Sequence, residues 1–432
     1  MAWDFSTDPE FEQKLAWMRQ VVREEIYPLE TLDLDYDALL EAIKPLQAEV
    51  KSQGLWASHL PVELGGGGFG QIKLGLMHEI LGQTPYGPVV FGNNAPDSGN
   101  AELLAIGIES SGRDDQREQW LQPLLDGRMR SGFSMTEPGA GADPTMITTR
   151  AVRDGDEWVI DGHKWFTTNG SLADFLIVMA VTNPDVHPYQ GCSMIIVPAD
   201  APGVDIVRDV ATMEDPVDHY GKFGGHAEII YREVRVPYAN LIGAEGEGFV
   251  LAQKRLGPGR IHHCMRWLGQ SRRAFDMLCE RAVSRTTHHS LLAEKQTIQN
   301  WVADSLAEMT AARLMTLYAA WKMNTEGASA ARVEIAMIKY YGAGVLYNVI
   351  DRAIQVHGAL GFSTDLPLEA MYRNARAARI YDGPDEVHRI TVARQTLKNY
   401  KPAEVPTEHV PTRRLEAKER FAHLLDEATA DQ

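Results

Sequence analysis

Up to about residue 128, apolar and charged positions recur at helical spacing. One such segment covers residues 11–26 and ends before Pro28; others cover 36–53, 71–81, 101–108 and 117–125. From about 129 to 240 the pattern shortens to strand length. Runs at 148–152, 157–160 and 164–168 are broken by Asp154-Gly155 and Asp161-Gly162, both read as hairpin turns. Further runs follow at 175–181, 193–197, 204–207, 228–231 and 233–236, with no helices between them, which predicts a barrel or sandwich. Beyond about 245 the helical period returns. Ile261, Met265, Leu268, Phe275, Cys279 and Ala282 share one stripe, and Ile338, Tyr341, Val345, Val349, Ala353 and Val356 another. A long helix over 291–323 carries Val302, Leu306 and Met309 on one face. All three stripes read as core. The pattern predicts an α+β chain with an N-terminal helical domain (1–128), a middle β-barrel (129–243), a C-terminal four-helix bundle (244–400) and a tail (401–432).

The 432 residues, 44% of them hydrophobic, are ample for several cores. A net charge of −17 makes the chain a poor candidate for sequence-independent nucleic-acid binding through phosphate neutralisation, though it leaves room for a local basic patch, and the tail is not basic. Three cysteines without a CxxC pair point to a reducing compartment. No apolar run is long enough to span a membrane, and no targeting segment is seen, so bacterial cytoplasm is the simplest location.

Several chemical motifs fail on context. Gly65, Gly67 and Gly70 spell GxGxxG, but between helices and outside any βαβ unit, so the stretch reads as a connector. His78-Glu79 lacks the second histidine of a zinc helix. The pairs His262-His263 and His288-His289 read as structural or surface histidines, because neighbours on a helix point about 100° apart. No metal site is expected. What remains is a Gly-rich, hydroxyl-bearing loop, Phe133 to Asp143, followed by Trp165-Phe166-Thr167-Thr168-Asn169-Gly170, and the acidic turn Tyr381-Asp382-Gly383-Pro384-Asp385-Glu386. Backbone N–H groups in such a loop can hold a polar ring or phosphate, and a tryptophan can pack on a flat cofactor. Locally, Asp382 is a turn aspartate.

The ordered set resembles the acyl-CoA dehydrogenase family over roughly residues 5–400. It comprises Thr136-Glu137-Pro138-Gly139-Ala140-Gly141, Trp165-Phe166-Thr167, Val234-Arg235-Val236-Pro237, Asn240-Leu241-Ile242-Gly243, Gln355-Val356-His357-Gly358 and Ile380-Tyr381-Asp382-Gly383. Tyr-Asp-Gly-Pro-Asp-Glu-Val-His is most like the branch of family members ten and eleven, in their dehydrogenase portion. The resemblance implies FAD, an acyl-CoA substrate, electron-transfer flavoprotein as acceptor, and a homodimer or homotetramer. It puts Phe133, Met135, Thr136, Gly141, Ala142, Trp165, Phe166 and Thr167 along the flavin, with Thr167 near N5. Arg285 and Gln296 would reach a neighbouring subunit's FAD; Gln355, His357 and Gly358 would meet its pyrophosphate and adenosine, and Glu386 would lie close to the cofactor. Ala142, Arg260 and Gly383 are implied at the substrate.

Asp382 falls at the position of the catalytic base, where a pKa raised by a dry site is expected. The sequence departs from the family there and nearby. Asp382 stands where most relatives have Glu, Pro384 replaces a common Thr, Ala142 a Ser, Gly257 an acidic residue, and His288-His289 a Phe-Gly. Gly259 leaves no rival base beside Arg260. An oxidase or monooxygenase on the same fold, or a non-enzymatic flavin-binding or nucleic-acid-binding relative, stays open at this point.

Overall fold

The computed structural model describes residues 7–32, 34–64, 66–215, 225–402 and 413–425. Helices α1 (Pro9–Val21), α2 (Tyr36–Ser52), α3 (Gly70–Leu81) and α4 (Asp97–Ser111) build the N-terminal region. Asp8 and Asp35 cap α1 and α2 through bonds from Phe11 N–H and Ala38 N–H. The chain stays helical past residue 26, because Pro28 sits in the first turn of the short helix Tyr27–Leu29, where its missing N–H costs nothing. Of the GxGxxG glycines, Gly65 lies outside the described residues.

The strands are β1 (Ser131–Ser134), β2 (Arg150–Asp154), β3 (Glu157–Thr168), β4 (Phe175–Val181), β5 (Cys192–Pro198), β6 (Val204–Asp209), β7 (His226–Pro237) and β8 (Leu241–Ile242). They join in the order β6-β7-β3-β1-β4-β5-β8. Strand β2 pairs with β3 and, at Arg150↔Val181, with β4, which closes the sheet on itself. Asp154-Gly155 makes the β2–β3 turn, with Gly155 at φ +64°. Asp161-Gly162 does not turn the chain. It lies inside β3 at a register shift, where a Cβ on Gly162 would sit 2.2 Å from the Thr149 hydroxyl oxygen. The expected strands 228–231 and 233–236 are likewise one strand, β7, with Glu233 at φ +48°.

Strands β4 and β5 are apolar throughout because both faces are buried. Phe175, Ile177, Met179, Met194 and Ile196 pack towards α4, while Leu176, Val178, Ile195 and Val197 fill the sheet interior.

The C-terminal helices are α5 (Gly248–Ser284), α6 (Gln296–Glu326), α7 (Arg332–His357), α8 (Leu368–Ala377) and α9 (Asp385–Leu397). Helix α6 starts five residues later than expected, because Ser290–Leu291 pairs with Thr286–Thr287 in a small hairpin around His288 and His289. Leu306 is not core: it is 44% exposed. One hydrophobic core runs from Phe11, Leu15 and Ile43 through Met77 to Met265, Leu346 and Val349, so the N-terminal and C-terminal helices bury each other. Helices α3 and α5 approach to backbone distance: a Cβ on Gly82 would lie 2.1 Å from the Arg266 carbonyl, and one on Gly269 2.1 Å from that of Glu79. Residues 390–432 form a separate unit, whose described part holds the end of α9 and a short helix, Arg414–Arg420.

Candidate active site

Helix α8 ends where Ile380 and Tyr381 N–H both bond the Ala377 carbonyl. Asp382 and Gly383 then take φ +54° and +97°. Asp tolerates the left-handed region better than most side chains. At Gly383 a Cβ would also lie 2.9 Å from His388 Nε2. Side chains from far along the chain clamp this turn. Lys339 Nζ, fully buried, donates to the Ala378 carbonyl (2.7 Å) and the Gly383 carbonyl (3.3 Å). The Asp382 carbonyl accepts from Arg260 Nε (3.1 Å) and His388 Nε2 (3.2 Å). Trp267 Nε1 donates to the Tyr381 hydroxyl (2.8 Å), and Arg379 Nε to Asp385 Oδ2 (2.8 Å). The turn reading of this stretch holds, but its geometry is imposed by α5, α7 and α9.

The Asp382 side chain is 20% exposed, and its Oδ2 lies 3.3 Å from His263 Nε2. Burial pushes the carboxyl up, yet His263, Arg260, Arg255 and Lys339 together pull it below its ordinary 3.8. The expected raised pKa is therefore not found: the surroundings are cationic rather than apolar. Burial and the nearby Arg266 charge lower His263 to about 3, so its ring is neutral and meets Asp382 as a hydrogen-bond donor. Arg255 lies over the Phe133 ring (4.2 Å), its buried Nε without a hydrogen-bond partner among the described residues. Close to Arg255, burial pushes the Glu102 carboxyl up to about 8, leaving an acid that is largely protonated at neutral pH.

The two aromatic-and-hydroxyl stretches come together in the middle region. Trp165 N–H donates to the Thr136 carbonyl (3.0 Å). Behind them Lys164, fully buried, donates to the Met135 carbonyl (2.8 Å) and to Glu137 Oε1 (2.9 Å). Glu137 also accepts from the Thr148 N–H (2.8 Å) and the Thr149 N–H (2.9 Å). Phe133, Met135, Thr136 and Trp165 stay half-buried, Phe166 is 40% exposed at φ +50°, and the Gly141 and Ala142 loop is open. A half-covered aromatic face beside an open glycine loop fits a flat ring carrying polar edges. Thr167 is buried, and its hydroxyl is engaged with Ser134 Oγ (3.1 Å), which in turn bonds the Tyr231 hydroxyl (2.9 Å).

Arg285, Gln296, Gln355, Gly358 and Glu386 are exposed, and His357 is half-buried with Nδ1 against the Ala353 carbonyl (2.8 Å). Arg260 and Gly383 join Asp382 at the turn; Ala142 lies on the open loop. The sequence reading missed Arg255, His263, Arg266 and Lys339. His263 belongs to a pair read as structural or surface, and only the packing of α5 against the turn shows which way it faces. Among the described residues, no cluster of His, Cys, Asp or Glu could hold a metal, and no helix is long and apolar enough to cross a membrane.

Three family profiles cover the chain in order: the acyl-CoA dehydrogenase N-terminal domain (8–128), middle domain (132–215) and C-terminal domain (246–397). The chain is 45% identical over 363 residues to a probable acyl-CoA dehydrogenase, FadE2, of Mycobacterium tuberculosis, covering 83% of this chain and 86% of that one. It is 39% identical to acyl-CoA dehydrogenase family member 10 of Mus musculus over 90% of its own length, and spans only 37% of that protein. A solved structure of a putative acyl-CoA dehydrogenase from Mycobacterium abscessus superposes with a TM-score of 0.85 at 37% identity, over 92% of this chain and 100% of the other. The helix–sheet–helix order, the loops joined at Thr136 and Trp165 and the matched profiles place this chain in the acyl-CoA dehydrogenase family, FAD-dependent oxidoreductases acting on CH–CH bonds.

Proposed function

We propose that the chain introduces a trans-2,3 double bond into an acyl-CoA thioester, with Asp382 as the base that removes the α proton. The observation that carries this reading is a largely buried carboxylate on a clamped left-handed turn, held among Arg255, Arg260 and Lys339. The cation cluster keeps Asp382 ionised, so the resting enzyme holds its base ready. Closing a thioester over the remaining exposed part of Asp382 strengthens the burial that pushes its pKa up, which raises its basicity where the proton moves. The Asp382 N–H has no acceptor among the described residues and is the candidate donor to the thioester oxygen as charge develops there.

FAD, when bound, supplies the hydride acceptor. Phe133, Met135, Thr136, Gly141, Ala142, Trp165, Phe166 and Thr167 would hold its ring system. Arg285, Gln296, Gln355, His357 and Gly358 would serve the cofactor of a second subunit. The exposure of all but His357 supports that role, as does Phe362, 83% exposed just beyond α7. A homodimer or homotetramer, with electron-transfer flavoprotein as electron acceptor, completes the proposal.

The test is anaerobic titration of the yellow enzyme with butyryl-, octanoyl- and palmitoyl-CoA. Bleaching, followed by faster reoxidation with electron-transfer flavoprotein than with air, is expected. A flavin that none of them bleaches would sink the dehydrogenase reading, and rapid reoxidation in air with peroxide release would make the protein an oxidase.

A further inference from the structure

The clamp on the turn fixes the backbone of Asp382 but not the rotation of its carboxylate. That matters for a side chain one methylene shorter than glutamate, because a misplacement of about 1 Å can cost roughly a hundredfold in rate. The rotation is set from α5. His263 Nε2 lies 3.3 Å from Asp382 Oδ2, and His263 Nδ1 lies 3.0 Å from Arg266 Nη2, one turn further along the same helix. A guanidinium has donors only, so Nδ1 must present its lone pair. The single ring proton therefore sits on Nε2 and points at Asp382. Arg266 is itself anchored: its Nη1 donates to His78 Nδ1 on α3 (3.1 Å), and the His78 ring stacks on His262 with centroids 4.4 Å apart. His262 Nε2 in turn meets Gln71 Oε1 (3.0 Å). The approach of α3 to α5 at Gly82 and Gly269 is what brings His78 within reach of Arg266.

We propose that Arg266 and His263 form a one-way hydrogen-bond relay that holds the Asp382 carboxylate by Oδ2 and leaves Oδ1 as the oxygen that takes the proton. The inference rests on the reading of Asp382 as the base. His263 and Arg266 are positioning residues. Without Arg266 as donor, the His263 proton is free to move to Nδ1, which turns a lone pair towards the carboxylate and repels it. The other groups facing Asp382 are Arg255, Arg260 and Cys264 on α5, Lys339 on α7, the neighbouring Tyr381 and His388 on α9, and among the described residues none of them bonds the carboxylate oxygens.

The relay is tested on the FAD-loaded enzyme with octanoyl-CoA, by stopped-flow flavin reduction across pH. His263→Phe and Arg266→Met should slow reduction by roughly a hundredfold with little change in the half-saturating octanoyl-CoA concentration. Both should also move the acid limb up by about one pH unit, because the charged carboxylate loses a donor. His263→Gln can accept from Arg266 and donate to Asp382, so it should stay within roughly tenfold of wild type. A neutron structure of the resting enzyme should show the His263 proton on Nε2. Asp382→Asn is run alongside. Wild-type reduction by Asp382→Asn overturns the base reading itself. If Asp382→Asn is inactive but His263→Phe reduces at the wild-type rate, the base stands and the relay falls. Equal slowing by the Phe and Gln variants with an unmoved pH profile, or a proton on Nδ1, also overturns the relay.

Discussion

Lys164 beneath the Trp165 loop offers a perturbation whose size follows from the structure. Lys164 and Glu137 are 0% and 3% exposed and 2.9 Å apart. Burial pushes Glu137 up, but the Lys164 charge and the Thr149 and Thr148 hydrogen bonds carry it down from 4.5 to about 2. Burial takes Lys164 down from 10.5 to about 8, even with Glu137 beside it. At about 1.4 kcal/mol per pH unit, the Glu137 shift stabilises the fold by roughly 3 kcal/mol, and the Lys164 shift costs a similar amount. At neutral pH the pair is close to break-even, as buried pairs often are. Glu137's share is present above its ordinary 4.5 and is lost as pH falls towards 2; Lys164's penalty is present below about 8 and is relieved as pH rises towards 10.5. Lys164→Met removes one partner only and leaves a buried carboxylate, which costs roughly 3–5 kcal/mol. With an unfolding entropy of about 2.1 cal/mol/K per residue over 432 residues, each kcal/mol moves the melting temperature by roughly 1 °C, so it should fall by roughly 3–6 °C. Lys164 also holds the Met135 carbonyl, so the variant should retain less FAD, read from flavin absorbance after gel filtration. Glu137→Gln/Lys164→Met should be no less stable than Lys164→Met, a coupling of roughly 2–3 kcal/mol in a double-mutant cycle. Single-variant losses that simply add in the double variant would refute the reasoning.

Asp382→Asn should keep its FAD and yellow colour but fail to bleach with any acyl-CoA that bleaches the wild type; normal turnover would remove Asp382 from the chemistry. Because neighbouring cations hold Asp382 below its ordinary range, kcat/KM for octanoyl-CoA should show no acid limb from Asp382 above about pH 5, and a limb near neutrality would point to a different base. Lys339→Met should release the Ala378 and Gly383 carbonyls and lower flavin reduction by roughly tenfold or more; an unchanged rate would show that the clamp is dispensable. Gly82→Ala forces a Cβ to 2.1 Å from the Arg266 carbonyl and should cost about 1–3 kcal/mol in chemical denaturation, against little change for Gly139→Ala, which has nothing within 4 Å.

Periodicity was enough to separate the helical, strand and helical regions, because each element buries one face or, in β4 and β5, two. It failed where a local signal had a tertiary use. Asp161-Gly162 looks like a hairpin, yet Asp161 Oδ1 accepts from the Glu233 N–H (2.9 Å) and Gly162 makes room for Thr149 inside one long strand. Leu306 fits its helical stripe, but the described residues leave it exposed. Asp382 could be picked out as a turn residue and, through the family resemblance, as a candidate base; its electrostatic setting could not. Arg255, Arg260 and His263 lie over a hundred positions upstream and Lys339 over forty, and no spacing rule connects them to a turn.

By itself, then, the sequence determined the order of elements, the family and the residue types of the two flavin-side loops, since these depend on hydrophobic period, turn chemistry and contiguous motifs. The tertiary structure alone decided the charge around Asp382, the direction of the His263 ring and the burial of the Thr167 hydroxyl. Those depend on which elements pack together. Charge and hydrogen bonding act through space over a few ångströms, and a linear chain does not record which of its distant residues will share them.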